Sequence, residues 1–215
     1  MPDPAIENAL LRALRVHEIG NRTPYELSFA GKAKSGASFG FMQGDLAAGQ
    51  PIVTHTFHDV LEAAGFSSGA INSLTDRLSV HLLTSPLTGD EEARIDTALD
   101  QHREMVDRMD RSIAEDVLQG LDLCIGTAAS ANCRIEARAQ LYIAMWINMT
   151  GAPSKLLTWL KGGDPHLRAP VPAAAPSVGV PSIEAYMQAT DYYTNNPGNF
   201  PHMRESANAG ARLLP

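Results

Sequence analysis

The chain has 215 residues, is 44% hydrophobic and 19% charged, and carries a formal net charge of −7. That is enough apolar material for one good core, and it excludes disorder of the chain as a whole. The 17 glycines and 14 prolines exclude a coiled coil, no apolar run reaches the roughly 18 residues of a membrane span, and the acidity argues against a basic nucleic-acid-binding stripe.

The start, Met1-Pro2-Asp3-Pro4, lacks the basic and then apolar pattern of a signal peptide. Residues 4–18 predict an amphipathic helix, with Ile6, Leu10 and Leu14 four apart and Gly20-Asn21 as the stop. Residues 22–45 change period. Tyr25, Leu27 and Phe29 alternate with polar residues, and Gly31, Ser35 and Gly36 supply turns before a second apolar stretch, Ser38 to Met42. This predicts a small hairpin or three-stranded sheet. Helices are predicted at 55–64, 68–82, 90–124 (bent or broken near Gly120), 132–148 and 153–161. The Pro/Ala-rich stretch 163–182 predicts a strap without periodicity. Two short helices, 182–192 and 200–212, follow it. The fold class is α+β, mostly α. Its organisation reads as a main domain over 1–162, the strap over 163–182, and a C-terminal helical segment over 183–215, too short for its own core, that packs back on the domain.

Glu18 carries the first chemical signal. It continues the row Ile6, Leu10, Leu14 by one more turn, so it faces inward at the helix end. Partial burial disfavours a charged carboxylate and raises its pKa. Such a group can hold a proton and donate it to a leaving oxygen. A helix-end glutamate pointing into solvent is the plain alternative.

The segment that follows is Ser35-Gly36-Ala37-Ser38-Phe39-Gly40-Phe41-Met42-Gln43-Gly44-Asp45. Downstream stands Tyr142-Ile143-Ala144-Met145-Trp146-Ile147-Asn148-Met149-Thr150-Gly151. A helix-ending Glu, a glycine-rich hairpin with Gly40-Phe41-Met42-Gln43, and a buried helix with Asn148 and Gly151, in that order, resemble the lysozyme-like superfamily. That superfamily includes goose-type lysozymes and lytic transglycosylases. The matches cover about a quarter of the chain. The resemblance implies a lysozyme-like helical domain in which Glu18 is the catalytic acid, with Gln43, Asn148, Ser38, Tyr25 and Phe41 against the sugar. The hairpin glycines would let the backbone turn tightly and approach a sugar.

Two positions depart from the transglycosylase pattern: Ile19 stands where those enzymes have Ser, and Ile147 where they have Tyr. The goose-type version instead uses an Asp just after the Met-Gln pair to position water, and Asp45 holds that place. Inverting hydrolysis needs an acid and a base roughly 6.5–9.5 Å apart. Asp45 also reads as a helix N-cap before Leu46-Ala47-Ala48, and the two roles are compatible.

Other polar residues carry less. Ser28 and Ser35 are sugar contacts or turn residues. His17 reads as a surface neighbour of Glu18. His55 and His58 have metal-ligand spacing without a third ligand, so no metal and no cofactor is expected. Tyr186, Tyr192, Tyr193 and Phe200 read as packing before sugar stacking, and Trp146 and Trp159 as core. Cys124 and Cys133 lack metal spacing; a disulfide and two buried thiols both remain open. No GxGxxG, P-loop or GxSxG is present.

The resemblance implies a β-linked amino-sugar polysaccharide as the partner, peptidoglycan first, in the extracellular or periplasmic space. The acidic charge would suit a cationic polymer such as chitosan, although Arg22, Lys32 and Lys34 form a local basic cluster by the hairpin. A chitosanase or other glucan-active hydrolase, a lytic transglycosylase and a non-catalytic carbohydrate-binding or interaction protein are the alternatives.

Overall fold

The computed structural model describes residues 3–30, 35–151, 153–174 and 176–214. The first helix, α1, runs Pro4–Ile19 and buries Ile6, Leu10 and Leu14, the row that predicted it. Three short antiparallel strands follow: β1 (Ser28–Phe29), β2 (Ala37–Phe39) and β3 (Gly44–Asp45). They lie in the order β1-β2-β3, with Ser28 opposite Ser38 and Ser38 opposite Asp45. This is the three-stranded form of the predicted sheet.

Next come a 3-10 turn (Leu46–Ala48), α2 (Pro51–Ala63), α3 (Ser68–Leu78), α4 (Gly89–Gln101) and α5 (Arg103–Ser130). Helix α2 starts four residues earlier than predicted. Pro51 occupies its first turn, where a missing N–H costs nothing. The start of α4 is a capping box: Thr88 accepts from the Glu91 N–H, and Glu91 accepts from the Thr88 N–H.

The single long helix predicted over 90–124 is two helices, and the break is at His102 rather than Gly120. Gly120 continues α5 because it makes room: a Cβ there would stand 3.1 Å from Ile147 Cγ2. A glycine that marks close packing looks, in sequence, like one that marks a bend.

The remainder is β4 (Arg134–Ile135), α6 (Ala137–Thr150), α7 (Ser154–Leu160), β5 (Ser177–Val178), α8 (Val180–Gln188), α9 (Asp191–Asn195) and α10 (Asn199–Ala211). Strand β5 lies inside the predicted strap and pairs in parallel with β4. Two-residue strands have no period to read, so sequence could not show them. The strap is tied down elsewhere too, where Trp159 Nε1 donates to the Pro172 carbonyl. The helix predicted over 182–192 is α8 and α9, separated at Thr190, whose hydroxyl donates to the Met187 carbonyl. Both cysteines are buried free thiols.

Internal contacts divide the chain into two units. One holds residues 18–114; the other holds 1–17 and 115–215. The divisions fall within α1 and α5. In the 18–114 unit, Phe39, Phe57, Val60, Leu61, Leu78, Ile95, Leu99 and Met109 form the core, with the Phe39 and Phe57 rings 5.9 Å apart. The other unit is built on α6, whose residues from Leu141 to Ile147 are all buried, as expected of a helix apolar on every side. Here α10 packs on α6, so the C-terminal segment shares this unit's core. Among the described residues, no helix is long and apolar enough to cross a membrane.

Candidate active site

A concavity of about 460 Å³ in the 18–114 unit is lined by Glu18, Arg22, Ser28, Phe29, Ala30, Ser35, Ser38, Gln43 and Asp45. Of the residues singled out by sequence it brings together Glu18, Asp45, Gln43 and Ser38, with Ser28, Ser35 and Arg22 beside them. Glu18 reaches it from the end of α1, where it is half-buried. Arg22 Nη2 donates to the Glu18 carbonyl, which keeps the chain close as it leaves the helix.

Asp45 is a cap as well as a lining residue. Its Oδ1 accepts from the Ala47 N–H at 2.8 Å and the Gly36 N–H at 2.9 Å. The first bond starts the 3-10 turn; the second ties that turn to the segment leading into β2. Both bonds use one oxygen, so among the described residues Oδ2 takes no hydrogen bond from the protein.

Gln43 closes the β2–β3 turn with φ at +50°, a left-handed conformation that costs a non-glycine residue on the order of 1 kcal/mol. Its Oε1 accepts from Ser28 Oγ at 2.6 Å and its Nε2 donates to the Gly40 carbonyl at 2.9 Å. A side-chain amide nitrogen has two hydrogens, so one remains for a ligand. Ser38 is 6% exposed, and its carbonyl lies 3.3 Å from Ser28 Oγ, whose one hydrogen points at the nearer Gln43 Oε1.

Three residues expected at the sugar do not line this concavity. Tyr25 is drawn to α5: its hydroxyl donates to Asp107 Oδ1 at 3.0 Å, and Arg103 lies over its ring. The Phe41 side chain is buried, as an apolar ring in a short turn must be to avoid water. Asn148 is on α6, in the other unit. Lys32 and Lys34 lie outside the described residues.

Of the motif glycines, Gly40 makes the tight turn that the sequence predicts, with φ at +79°. Gly36 and Gly44 instead admit neighbours from the protein itself. A Cβ on Gly36 would overlap the Leu78 carbonyl oxygen, and one on Gly44 would press on Val53 at 3.0 Å. Their smallness serves packing around the sheet.

Sequence reasoning missed the carboxylates that hold the sheet in place. Asp96 on α4 accepts from the Leu27 N–H at 2.8 Å; burial raises its pKa, and that bond and the neighbouring Glu26 and Glu92 adjust it further. Asp110 on α5 is fully buried and accepts from the Phe41 and Met42 N–H groups at 2.8 and 3.0 Å. A signal was present: Val106, Asp110 and Ala114 are four apart, so Asp110 interrupts an apolar row.

The remaining residues are structural. His58 Nε2 bonds Thr75 Oγ1. Tyr193 packs edge-on against Tyr192 and Phe200, and Tyr186 against Trp146. His17 stacks on His202 with ring centroids 4.5 Å apart; burial, then the facing imidazole, lowers its pKa to about 4. Among the described residues, no group of three or more His, Cys, Asp or Glu is placed to hold a metal.

No family model, no curated protein and no solved structure matches this chain.

Proposed function

We propose that the concavity is the active site of a glycoside hydrolase acting on a β-linked amino-sugar polysaccharide, peptidoglycan first. The observation that carries this is the meeting of Glu18, Asp45, Gln43 and Ser38 around one opening. Glu18 donates its proton to the glycosidic oxygen as the bond to the anomeric carbon breaks. Asp45 Oδ2 takes a proton from the water that attacks that carbon, while Oδ1 stays anchored by Gly36 and Ala47. The free N–H of Gln43 and the Ser38 strand contact sugar hydroxyls or N-acetyl groups.

Charge favours a second substrate. Residues 18–114 carry 14 of the 24 acidic and 8 of the 17 basic side chains, a net −6 of the chain's −7. The unit with the candidate site would therefore attract a cationic polymer such as chitosan.

The test is digestion of peptidoglycan, chitosan and soluble glucans by the wild type and Glu18→Gln, with products read by mass spectrometry. The expected result is new reducing ends from the wild type, and turnover about 10²–10⁴-fold lower in the variant. 1,6-Anhydro ends would make the protein a lytic transglycosylase and remove Asp45 from the chemistry. A variant as active as the wild type would refute Glu18 as the acid. Sugar binding without turnover would make the protein a carbohydrate-binding module.

A further inference from the structure

The geometry points to Asp110 as the positioning residue for Gln43, acting through the turn that carries it. This rests on the reading of the concavity as a sugar site. The β2–β3 connection is only four residues long, Gly40 to Gln43, and two of them have positive φ. Such a turn needs something to hold it, and the hold comes from outside the hairpin. Asp110 Oδ2 accepts from the Phe41 N–H and Oδ1 from the Met42 N–H. A carboxylate suits this task because both its oxygens accept. Asparagine would offer one acceptor and turn an NH₂ group against the second N–H.

The approach is close enough to dictate sequence. At Gly40 a Cβ would come within 2.9 Å of Asp110 Cγ and overlap the nearer carboxylate oxygen. Gly40 is therefore needed twice, for its φ and for access of the carboxylate. With residues 40–42 clamped, the Gln43 backbone bonds back to the Gly40 carbonyl and its side-chain Nε2 does the same. Ser28 then fixes Oε1 from β1. The chain of support runs from Asp110 through the Phe41 and Met42 amides to Gln43 at the wall of the concavity. Asp110 does not line that wall.

The experiment has a ligand-free and a ligand-bound arm. In the wild type, amide exchange at Phe41 and Met42 should be slow, like the core amides of Val60 and Leu61, although both residues lie in a turn. In Asp110→Asn these two amides should exchange about 10–100-fold faster relative to Val60 and Leu61, the equivalent of one charge-assisted hydrogen bond, and the Gln43 side-chain amide signals should move. Wild-type Phe41 and Met42 amides exchanging as fast as open chain would overturn the proposal even if the variant does not fold. So would variant exchange that is unchanged, or faster by one common factor throughout the unit.

The second arm measures binding of the N-acetylglucosamine tetramer to wild type, Asp110→Asn, Gln43→Ala and the double variant. Asp110→Asn should weaken binding, and the double variant should bind no worse than Gln43→Ala alone, because one change acts through the other. Full additivity would overturn the proposal and leave Asp110 a general packing residue. Absence of tetramer binding by the wild type would count against the sugar reading, while the exchange arm still decides whether Asp110 holds the turn.

Discussion

Two helical glycines should respond to alanine with opposite signs. Glycine to alanine in a helix ordinarily stabilises by about 0.8–1 kcal/mol. Gly126 on α5 is exposed and has open space where a Cβ would go, so Gly126→Ala should show most of that gain. Gly210 on α10 is buried against α1. A Cβ there would overlap the Ala9 carbonyl oxygen and reach 3.0 Å from Ala13 Cβ. The neighbouring turns of α10 also bind α1, with His202 Nε2 on the His17 carbonyl and Ser206 near His17 Nδ1. The helix cannot retreat at Gly210 without loosening these bonds. The obstacle is backbone, so the two axes must part locally. Overpacking costs about 1–3 kcal/mol, and a backbone obstacle puts this case in the upper part, about 2–3 kcal/mol, more than the propensity gain. Gly210→Ala should therefore be about 1–2 kcal/mol less stable than the wild type, a fall of about 2–8 °C in Tm for a chain of this length. Denaturant unfolding of both variants reads the sign directly. A Gly210→Ala protein as stable as the wild type, or more so, would refute the close contact of α10 with α1.

The remaining predictions are briefer. Asp45→Asn should keep an acceptor for the Gly36 and Ala47 amides and hold its Tm, yet lose most activity; Asp45→Ala should also lose about 1–2 kcal/mol as the cap disappears. Equal activity in Asp45→Asn and wild type would leave Asp45 a cap alone. His17 should make stability pH-dependent. Its folded pKa is about 4 against 6.5 in the unfolded chain, so between those values the unfolded state binds more protons. The stability it supports is present above about pH 6.5 and is lost as pH falls toward 4. The ring is part-exposed, and after allowance for solvent screening the loss is about 1–2 kcal/mol. Urea titrations of wild type and His17→Gln across this range should converge at acid pH, and parallel curves would reject the assignment.

Much of the helical framework was legible in the sequence because it depends on local spacing. Ile6, Leu10 and Leu14 dictated one face of α1 and placed Glu18 at its end. The alternation through Phe29 and the glycine-rich return pointed to a small sheet, of which only Ser28 and Phe29 in the alternating row are strand. Gln43, Ser38 and Asp45 stand out because residues 35–45 resemble a lysozyme-like hairpin, and they line one concavity with Glu18. Only the folded chain decided what stands behind that hairpin. The carboxylates of Asp96, Asp107 and Asp110 come from α4 and α5, 68 to 82 residues away from the groups they hold, and no periodicity links positions so far apart. Contacts between residues far apart in the chain also decide whether a glycine turns or admits a neighbour: Gly40 turns and admits Asp110, Gly120 admits Ile147, and Gly210 admits α1. Side-chain spacing determines which face of a helix is apolar, but which face meets it, and which buried acid finds an amide there, is settled by packing across the chain.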